Sequence, residues 1–179
     1  MVKKLIEYIT QEEFEKLFKA TLAIKKRDKY KKHRALCMLL AFEAGLRISE
    51  IVGLEGRVPA LTKENIDLQR KSIRIVSGKG QKDRIVPLPK RFNQAALKLL
   101  PIPFSRRRLQ KYVTDLGAKV LNKKISFHTL RHGFGSHLAG QGRPLHEIQL
   151  LMGHSRLDTT GVYLHANPKK AIEGAREAF

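Results

Sequence analysis

The sequence is organised around one pentapeptide, His128-Thr129-Leu130-Arg131-His132. A histidine and an arginine three positions apart lie on one face if the stretch is helical. Two further groups follow a short distance downstream, the histidine of Gly153-His154-Ser155 and the hydroxyl of Tyr163. Arginine can donate paired hydrogen bonds to phosphate oxygens, histidine can donate or accept, and a tyrosine hydroxyl can act as a nucleophile. Together these residue types suit chemistry on a phosphodiester.

The composition indicates a polyanionic partner. Lys and Arg total 36 against 16 Asp and Glu, a net charge of +20 over 179 residues. This excess favours nucleic acid, most simply double-stranded DNA, with an anionic membrane surface as the alternative. No apolar run approaches the ~20 residues that cross a bilayer, and no signal-peptide pattern opens the chain. We therefore expect a cytoplasmic protein without a membrane partner, whose single cysteine, Cys37, is a buried thiol in an apolar run.

The periodicity of the chain predicts an α+β fold that is mostly helical. Thr10 and Glu13 form a capping-box pattern before a first helix. The apolar run 34–44 predicts a buried central helix that ends at Gly45. Three short alternating segments predict a small three-stranded antiparallel sheet at one edge of the domain. These segments are 65–68, 72–76 and 84–88.

A short helix is predicted after Arg47, with Ser49 as its N-cap and Ile51 on its apolar side. An arginine at a helix start meets the positive end of the helix dipole, which is unfavourable unless a phosphate is bound there. Six further helices are predicted: 91–100, one capped by Ser105, 129–139, one from Pro144 to Gly153, one bearing Tyr163 and one starting at Asn167-Pro168.

Five motifs, taken together and in order, resemble the catalytic domain of the tyrosine recombinases, the integrase family that includes phage integrases and Xer recombinases. They are Ala44-Gly45-Leu46-Arg47-Ile48-Ser49-Glu50, Gly78-Lys79-Gly80-Gln81-Lys82-Asp83-Arg84, His128-Thr129-Leu130-Arg131-His132, Leu151-Met152-Gly153-His154-Ser155 and Thr159-Thr160-Gly161-Val162-Tyr163. The resemblance implies a single catalytic domain over residues 1–179. We expect this chain to lack the N-terminal DNA-clamping domain that family members usually carry, as either an isolated catalytic fragment or a minimal member would.

The resemblance implies a role for each matched residue. Tyr163 would be the nucleophile that forms a 3′-phosphotyrosyl bond to DNA. Arg47 and Arg131 would bind the non-bridging oxygens of the scissile phosphate through their planar, permanently charged forks. Lys79 would protonate the departing 5′-oxygen.

Three supporting residues complete the site that the resemblance implies. His128 and His154 would hydrogen-bond the same phosphate, and Glu50 would orient the basic groups. No metal, ATP or other cofactor is required, because two arginines and a lysine supply the positive charge. The family likeness also implies a tetramer on DNA, with the C-terminal helix packed in trans. DNA contacts are predicted for Lys82 on the hairpin and for Arg106 and Arg107 at the start of the helix after Ser105.

Each residue also has an ordinary structural explanation when it is considered alone. Arg47 and Glu50 could be a surface ion pair, Lys79 an exposed lysine, and Tyr163 a core aromatic. The histidines could include a zinc site, although cysteine and carboxylate partners are lacking. The joint occurrence of five motifs favours a site-specific DNA recombinase. Type IB topoisomerase-like relaxation and a non-catalytic, architectural DNA-binding protein remain as alternatives.

Overall fold

The computed structural model of the protein describes residues 8–24, 28–76 and 83–153. These ranges contain seven α-helices and three strands. In chain order they are α1 (Gln11–Ala23), α2 (Lys31–Glu43), α3 (Ile48–Val52), β1 (Ile66–Asp67), β2 (Ser72–Ile75), β3 (Arg84–Pro87), α4 (Gln94–Leu97), α5 (Arg106–Leu121), α6 (Phe127–Gly140) and α7 (Leu145–Met152). None of the helices in these ranges is long and apolar enough to cross a membrane.

The hydrophobic core is built around α2. Every residue from Ala35 to Phe42 is buried, as expected for a helix that is apolar on all sides. Helices α1 and α6 pack against it, and Phe14 of α1 stacks on Phe42 with 4.1 Å between ring centroids. A Cβ on Gly133 of α6 would lie 2.5 Å from the Phe42 ring, so glycine permits this close helix contact. Cys37 is a free, buried thiol, as predicted.

The predicted capping box of α1 is confirmed. The backbone N–H of Glu13 donates to Thr10 Oγ1 at 3.2 Å, and the backbone N–H of Thr10 donates to Glu13 Oε2 at 3.1 Å. Ser105 also caps α5 as predicted, because its side chain accepts from the backbone N–H of Arg108 at 3.3 Å. Short polar side chains thus fix both helix starts by satisfying orphan N–H groups.

Two predicted helices have different bounds. The helix predicted over 91–100 is limited to α4, because the Asn93 side chain accepts from the backbone N–H of Ala96 and starts the helix there. Arg91 lies before that cap and forms ion pairs with Glu15 and Glu43. Helix α6 begins at Phe127, two residues earlier than predicted, because Ser126 is its N-cap.

The three strands form one antiparallel sheet in the order β1-β2-β3. Ile73 of β2 pairs with Val86 of β3, and Ile75 pairs with Arg84 at the end of the ladder. Residues alternate between the two faces, so Arg84 and Val86 share the buried side while Ile85 is 65% exposed. The first residue of β3 therefore places a guanidinium inside the protein.

Helix α7 brings its C-terminal end to that guanidinium. A small apolar cluster of Phe134, Ile148 and Met152 joins α6 to α7, and α7 also packs on β3. Gly153 ends α7 with a φ of +60°, and a Cβ at this position would lie 3.1 Å from Arg84 Cδ. The fold thus collects α3, β3, α6 and the end of α7 around one polar centre.

Candidate active site

The start of α3 holds Arg47 by its backbone and by its side chain. The Arg47 backbone N–H donates to Glu50 Oε2 at 2.7 Å, and Arg47 Nη1 donates to Glu50 Oε1 at 2.9 Å. The prediction that Ser49 caps this helix was wrong, because Ser49 lies within α3 and the Glu50 carboxylate reaches back to the chain. Arg47 remains 31% exposed at its side chain, so solvent reaches its guanidinium.

Glu50 is the centre of the cluster. Its side chain is 4% exposed and accepts a bidentate pair of hydrogen bonds from Arg84, Nη1 to Oε1 and Nη2 to Oε2, both at 2.8 Å. With the two bonds from Arg47, each carboxylate oxygen accepts two hydrogen bonds. The predicted pair of Arg47 and Glu50 exists, but it is one part of a buried network and not a simple surface ion pair.

The network keeps Glu50 ionised. Burial alone would raise the pKa of this carboxyl, but hydrogen bonds from Arg84 and its charge outweigh that effect, and the Arg47 backbone N–H and the Arg131 charge add to them. The net result lowers the pKa of Glu50 to about 2. The carboxylate therefore carries a full negative charge near neutral pH, which partly balances three arginines.

Arg131 enters the cluster from α6 and is 2% exposed. Its Nη1 donates to the backbone carbonyl of Gly45, and its Nη2 donates to that of Met152. Gly45 has a φ of +66° and directly faces the Phe134 ring, which lies 2.5 Å from where a Cβ would be. The turn after α2 thus requires glycine, and that turn presents the carbonyl that Arg131 binds.

Three arginines bind three consecutive carbonyls at the end of α7. Arg84 Nε donates to the Leu151 carbonyl at 2.8 Å and Arg47 Nη2 donates to the Gly153 carbonyl at 3.1 Å. Arg131 binds the carbonyl between them, as described above. The last carbonyls of a helix lack intrahelical partners and carry the negative end of the helix dipole. Guanidinium groups from α6, β3 and the residue before α3 satisfy them together.

His128 lies one helical turn before Arg131 on α6, as its spacing predicted, and its side chain is exposed. Its pKa is lowered, first by desolvation and then by the charges of Arg131 and Arg47. These two charges show that all three groups share one electrostatic environment. The ring also makes an edge contact with His132, with 4.1 Å between centroids. A phosphate placed here would supply the opposite charge and raise the pKa of His128 again.

Three of the predicted catalytic and supporting residues, Arg47, Glu50 and Arg131, therefore meet at the end of α7, and His128 lies one helical turn from Arg131, where the charges of Arg131 and Arg47 lower its pKa. Arg106 and Arg107 are exposed in the first turn of α5 and take no part in this network. Lys79, Lys82, His154, Tyr163 and the predicted C-terminal helix lie outside the described residues. Within residues 8–24, 28–76 and 83–153, no three His, Cys, Asp or Glu side chains form a group that could hold a metal ion.

Sequence reasoning assigned no role to Arg84, although this residue makes the bidentate contact with Glu50. Arg84 closes the second family motif, and its position in the strand pattern was the signal that it points inward. Arg84 has the same parity as Val86 in β3 and so belongs to the inward face of the sheet. A charged residue at an inward position requires a buried partner of opposite charge. That partner, Glu50, is 34 residues away in the chain.

The phage integrase family model matches residues 7–102 and 101–170 of this chain. The tyrosine recombinase XerA of Thermococcus kodakarensis is 32% identical over 193 aligned positions, which cover 98% of this chain and 62% of that protein. The chain thus spans about three fifths of the length of this curated relative.

Two solved structures illustrate the likeness of fold. The XerH site-specific recombinase, bound to difH substrate in a pre-cleavage complex, has a TM-score of 0.66 and 25% identity, covering 98% of this chain and 55% of that chain. The Tn1549 transposon integrase, in complex with transposon right end DNA, has a TM-score of 0.74 and 21% identity, covering 99% and 67%. The chain belongs to the phage integrase family, and its fold is that of a tyrosine recombinase catalytic domain.

Proposed function

We propose that this chain is the catalytic domain of a site-specific DNA recombinase, which cleaves and rejoins double-stranded DNA through a 3′-phosphotyrosyl intermediate. One observation carries the proposal. Arg47 at the start of α3 and Arg131 on α6 come from distant parts of the chain and bind neighbouring carbonyls at the end of α7, beside the ionised carboxylate of Glu50 and one helical turn from His128. The XerA relative is named a tyrosine recombinase, and the XerH structure is that of a site-specific recombinase bound to its substrate.

The two arginines suit a scissile phosphate. Arg47 is partly exposed and tethered by Glu50, so it can meet a phosphate without first losing its orientation. Arg131 is buried and tethered by two backbone carbonyls, so its charge acts from a fixed position. Preorganised donors of this kind stabilise charge that develops in a transition state, at no cost for reorganising the site.

The covalent step assigned to Tyr163 balances without an external energy source. The phenol oxygen forms a bond to phosphorus, and the bond between phosphorus and the 5′-oxygen breaks. The phenol releases its proton to water, Lys79 gives a proton to the 5′-oxygen, and the lysine is then reprotonated from solvent. The phosphodiester is exchanged for a phosphotyrosyl ester, so the reverse attack by a 5′-hydroxyl reseals the strand without ATP. His128 and His154 would hydrogen-bond the phosphate during both steps.

DNA is the substrate class that the charge favours. The net charge of +20 and the exposed arginines of α5, Arg106 and Arg107, suit a phosphate backbone. That helix start carries no acidic residue in its first turn, so the arginines and the helix dipole add to one positive field. Lys82 is proposed as a further backbone contact.

The test is covalent capture on nicked duplexes. A pool of suicide substrates with randomised sequence around a nick lets the cleaved strand diffuse away, which traps the covalent adduct. We expect wild-type protein to form an adduct on a subset of sequences, and Tyr163→Phe to form none while it retains DNA affinity. The adduct is read on a denaturing gel, and the captured sequences are determined.

The outcomes separate the candidate functions. An adduct with Tyr163→Phe would refute the assigned nucleophile, and no adduct with wild-type protein would favour a non-catalytic architectural role. Captured duplexes can then be offered in pairs and in a supercoiled plasmid. Strand exchange between two duplexes supports a recombinase, whereas relaxation without exchange identifies a topoisomerase-like activity.

The proposed assembly is a tetramer on DNA in which the C-terminal helix of each subunit packs against a neighbour. Ile172, Ala175 and Phe179 recur at helical spacing in the sequence and would form its apolar stripe. Deleting residues 168–179 should leave a folded protein that binds DNA but assembles poorly, as measured by analytical ultracentrifugation with a captured duplex. A truncated protein that unfolds outright would contradict packing in trans.

A further inference from the structure

We infer that Arg84 is a positioning residue of this active site, although it touches no substrate. It fixes the orientation of the Glu50 carboxylate and, through that carboxylate, the position of Arg47. It also anchors the C-terminal end of α7. The inference rests on the proposed function, because positioning has a consequence only if Arg47 acts on a phosphate.

Arg84 is buried and faces protein acceptors on every side of its guanidinium that the cluster offers. Its side chain is 5% exposed, and each of its three nitrogens already donates to a protein acceptor at 2.8 Å. The buried guanidinium therefore has the geometry of a structural brace. Arg47, by contrast, keeps 31% of its side chain exposed. Both arginines bind the Glu50 oxygens, but Arg84 supports the site from the interior and Arg47 remains available to contact a phosphate.

The bidentate contact with Arg84 determines the orientation of the Glu50 carboxylate relative to Arg47. Two parallel bonds from Arg84 fix the plane of the carboxylate as well as its position. In that plane, Oε2 accepts from the Arg47 backbone and Oε1 from the Arg47 Nη1. A carboxylate held by a single point could rotate and carry the Arg47 guanidinium with it. The fork of Arg84 removes this freedom.

The third nitrogen of Arg84 ties the same brace to α7. Arg84 Nε binds the Leu151 carbonyl, and a Cβ on Gly153 would come within 3.1–3.2 Å of three Arg84 atoms. Because Gly153 has no side chain, the end of α7 can lie directly on the guanidinium. The Gly153 carbonyl then accepts a hydrogen bond from Arg47 Nη2 at 3.1 Å. Arg84 thus holds both the Glu50 carboxylate and the end of α7, which are the two partners of the Arg47 side chain.

Only arginine supplies this combination. A lysine at position 84 would keep the positive charge but present a single ammonium in place of a planar fork. It cannot hold both Glu50 oxygens in one plane and bind the Leu151 carbonyl with the same geometry. The substitution Arg84→Lys therefore separates charge from positioning, and it is less disruptive than Arg84→Met because the buried carboxylate keeps a counter-charge.

The experiment measures single-turnover cleavage of a captured suicide substrate by Arg84→Lys, with Arg91→Met as the matched control. Arg91 also binds carboxylates but lies outside the site. We expect Arg84→Lys to cleave roughly 10–100-fold more slowly, taking as a guide the loss at metal sites when an outer partner that orients a metal ligand is removed. DNA affinity should change by less than about 3-fold, since binding is dominated by backbone contacts. Arg91→Met should cleave at the wild-type rate.

A double-mutant cycle with Glu50→Gln distinguishes positioning from a general loss of structure. If Arg84 acts chiefly through the carboxylate, Arg84→Lys should slow cleavage by clearly less in the Glu50→Gln background than in wild-type protein, with the contact to α7 as the remaining contribution. Effects that multiply would overturn the inference, as would an Arg84→Lys protein that cleaves at the wild-type rate. Circular dichroism and thermal unfolding confirm that each variant is folded before its rate is interpreted.

The pH profile supplies a readout that a purely structural role would not move. The charged groups facing Glu50 are Arg47, Arg84 and Arg131, so weakening the Arg84 contact raises the pKa of Glu50. Cleavage by Arg84→Lys should then fall at a higher pH than cleavage by wild-type protein, and Glu50→Gln should abolish that difference. His128 is present in every variant, so its own titration is common to all profiles.

The proposed function and this inference fail in different ways. If the wild-type protein forms no covalent adduct, the proposed function is refuted, and the inference falls with it. If wild-type protein cleaves and Arg84→Lys cleaves equally well with an unchanged pH profile, only the role of Arg84 is refuted.

Discussion

Two arginines of this domain bind carboxylates in opposite surroundings. Arg91 joins Glu15 of α1 to Glu43 of α2 at the surface, where these three side chains are 34%, 34% and 21% exposed. Arg84 binds Glu50 in the interior, where both side chains are 4–5% exposed. The interacting groups are the same, so the difference isolates what solvent does to an ion pair.

Water and dissolved salt compete for a pair such as Arg91 with Glu43, and surface pairs typically contribute only about 0.2–1 kcal/mol. A buried pair must first offset the cost of removing two charges from water, so its presence need not add net stability. Removing one partner, however, leaves the other charge buried without compensation. The surface pair can therefore be removed at little cost in stability, whereas removing either partner of the interior pair should destabilise the fold.

The largest difference between the two ion pairs should appear when the carboxylate of each pair is removed. Glu50→Ala should lower the free energy of unfolding by about 3–5 kcal/mol, because Arg84 is left buried without its counter-charge. Glu43→Ala should lower it by less than about 1 kcal/mol, because Arg91 can turn to water and to Glu15. Urea denaturation at neutral pH measures both values. Equal losses would show that burial does not govern these pairs.

The second effect is a dependence on pH that belongs to Glu50. Its pKa is lowered from an ordinary value of 4.5 to about 2 in the folded protein. A lowered folded pKa contributes stability that is fully present above 4.5 and is lost as the pH falls towards 2. The contribution is about 3 kcal/mol, at about 1.4 kcal/mol per pH unit.

This pH effect is measured as the difference in unfolding free energy between wild-type protein and Glu50→Gln, which cancels the titration of other carboxyls. We expect the difference to be largest at pH 6–7 and to shrink steadily as the pH falls below about 4.5. A difference that stayed constant down to pH 2.5 would show that Glu50 keeps its ordinary pKa.

The smallest effect is a response to salt at the surface. Arg91→Met should lower the unfolding free energy by a few tenths of a kcal/mol at 0.1 M NaCl, and this loss should vanish at 1 M, where the screening length is ~3 Å. The loss caused by Arg84→Lys should be the same at both salt concentrations, because solvent ions do not enter the buried pair. A salt-sensitive Arg84→Lys effect would place that pair in contact with solvent.

Local patterns in the sequence predicted most of the fold. The capping residues Thr10 and Ser105 and the apolar run of α2 act over a few positions, so their consequences can be deduced without a structure. The extent of α4 could not be deduced this way. Apolar spacing suggested a longer helix, but the cap at Asn93 and the tertiary ion pairs of Arg91 determine where it begins.

The candidate site shows the same division between local and distant causes. The motifs identified Arg47, Glu50, His128 and Arg131, and the structure brings these residues together. The role of Arg84 depends on the inward face of β3, the depth of Glu50 and the bare backbone of Gly153. These three facts become adjacent only after folding, so no short motif could express them.

The contacts at the end of α7 also constrain the length of this helix. Successive carbonyls of an α-helix are rotated by about 100° and advance by about 1.5 Å, so those of Leu151 and Met152 face different arginines, and the left-handed turn at Gly153 directs a third carbonyl to Arg47. Deleting one residue within Leu145–Met152 would turn all three away at once, whereas adding residues to the exposed turn at 141–143 would leave them in place. The number of residues in this helix is thus as strictly specified as their identity, and diversity in length should accumulate in the turn before it.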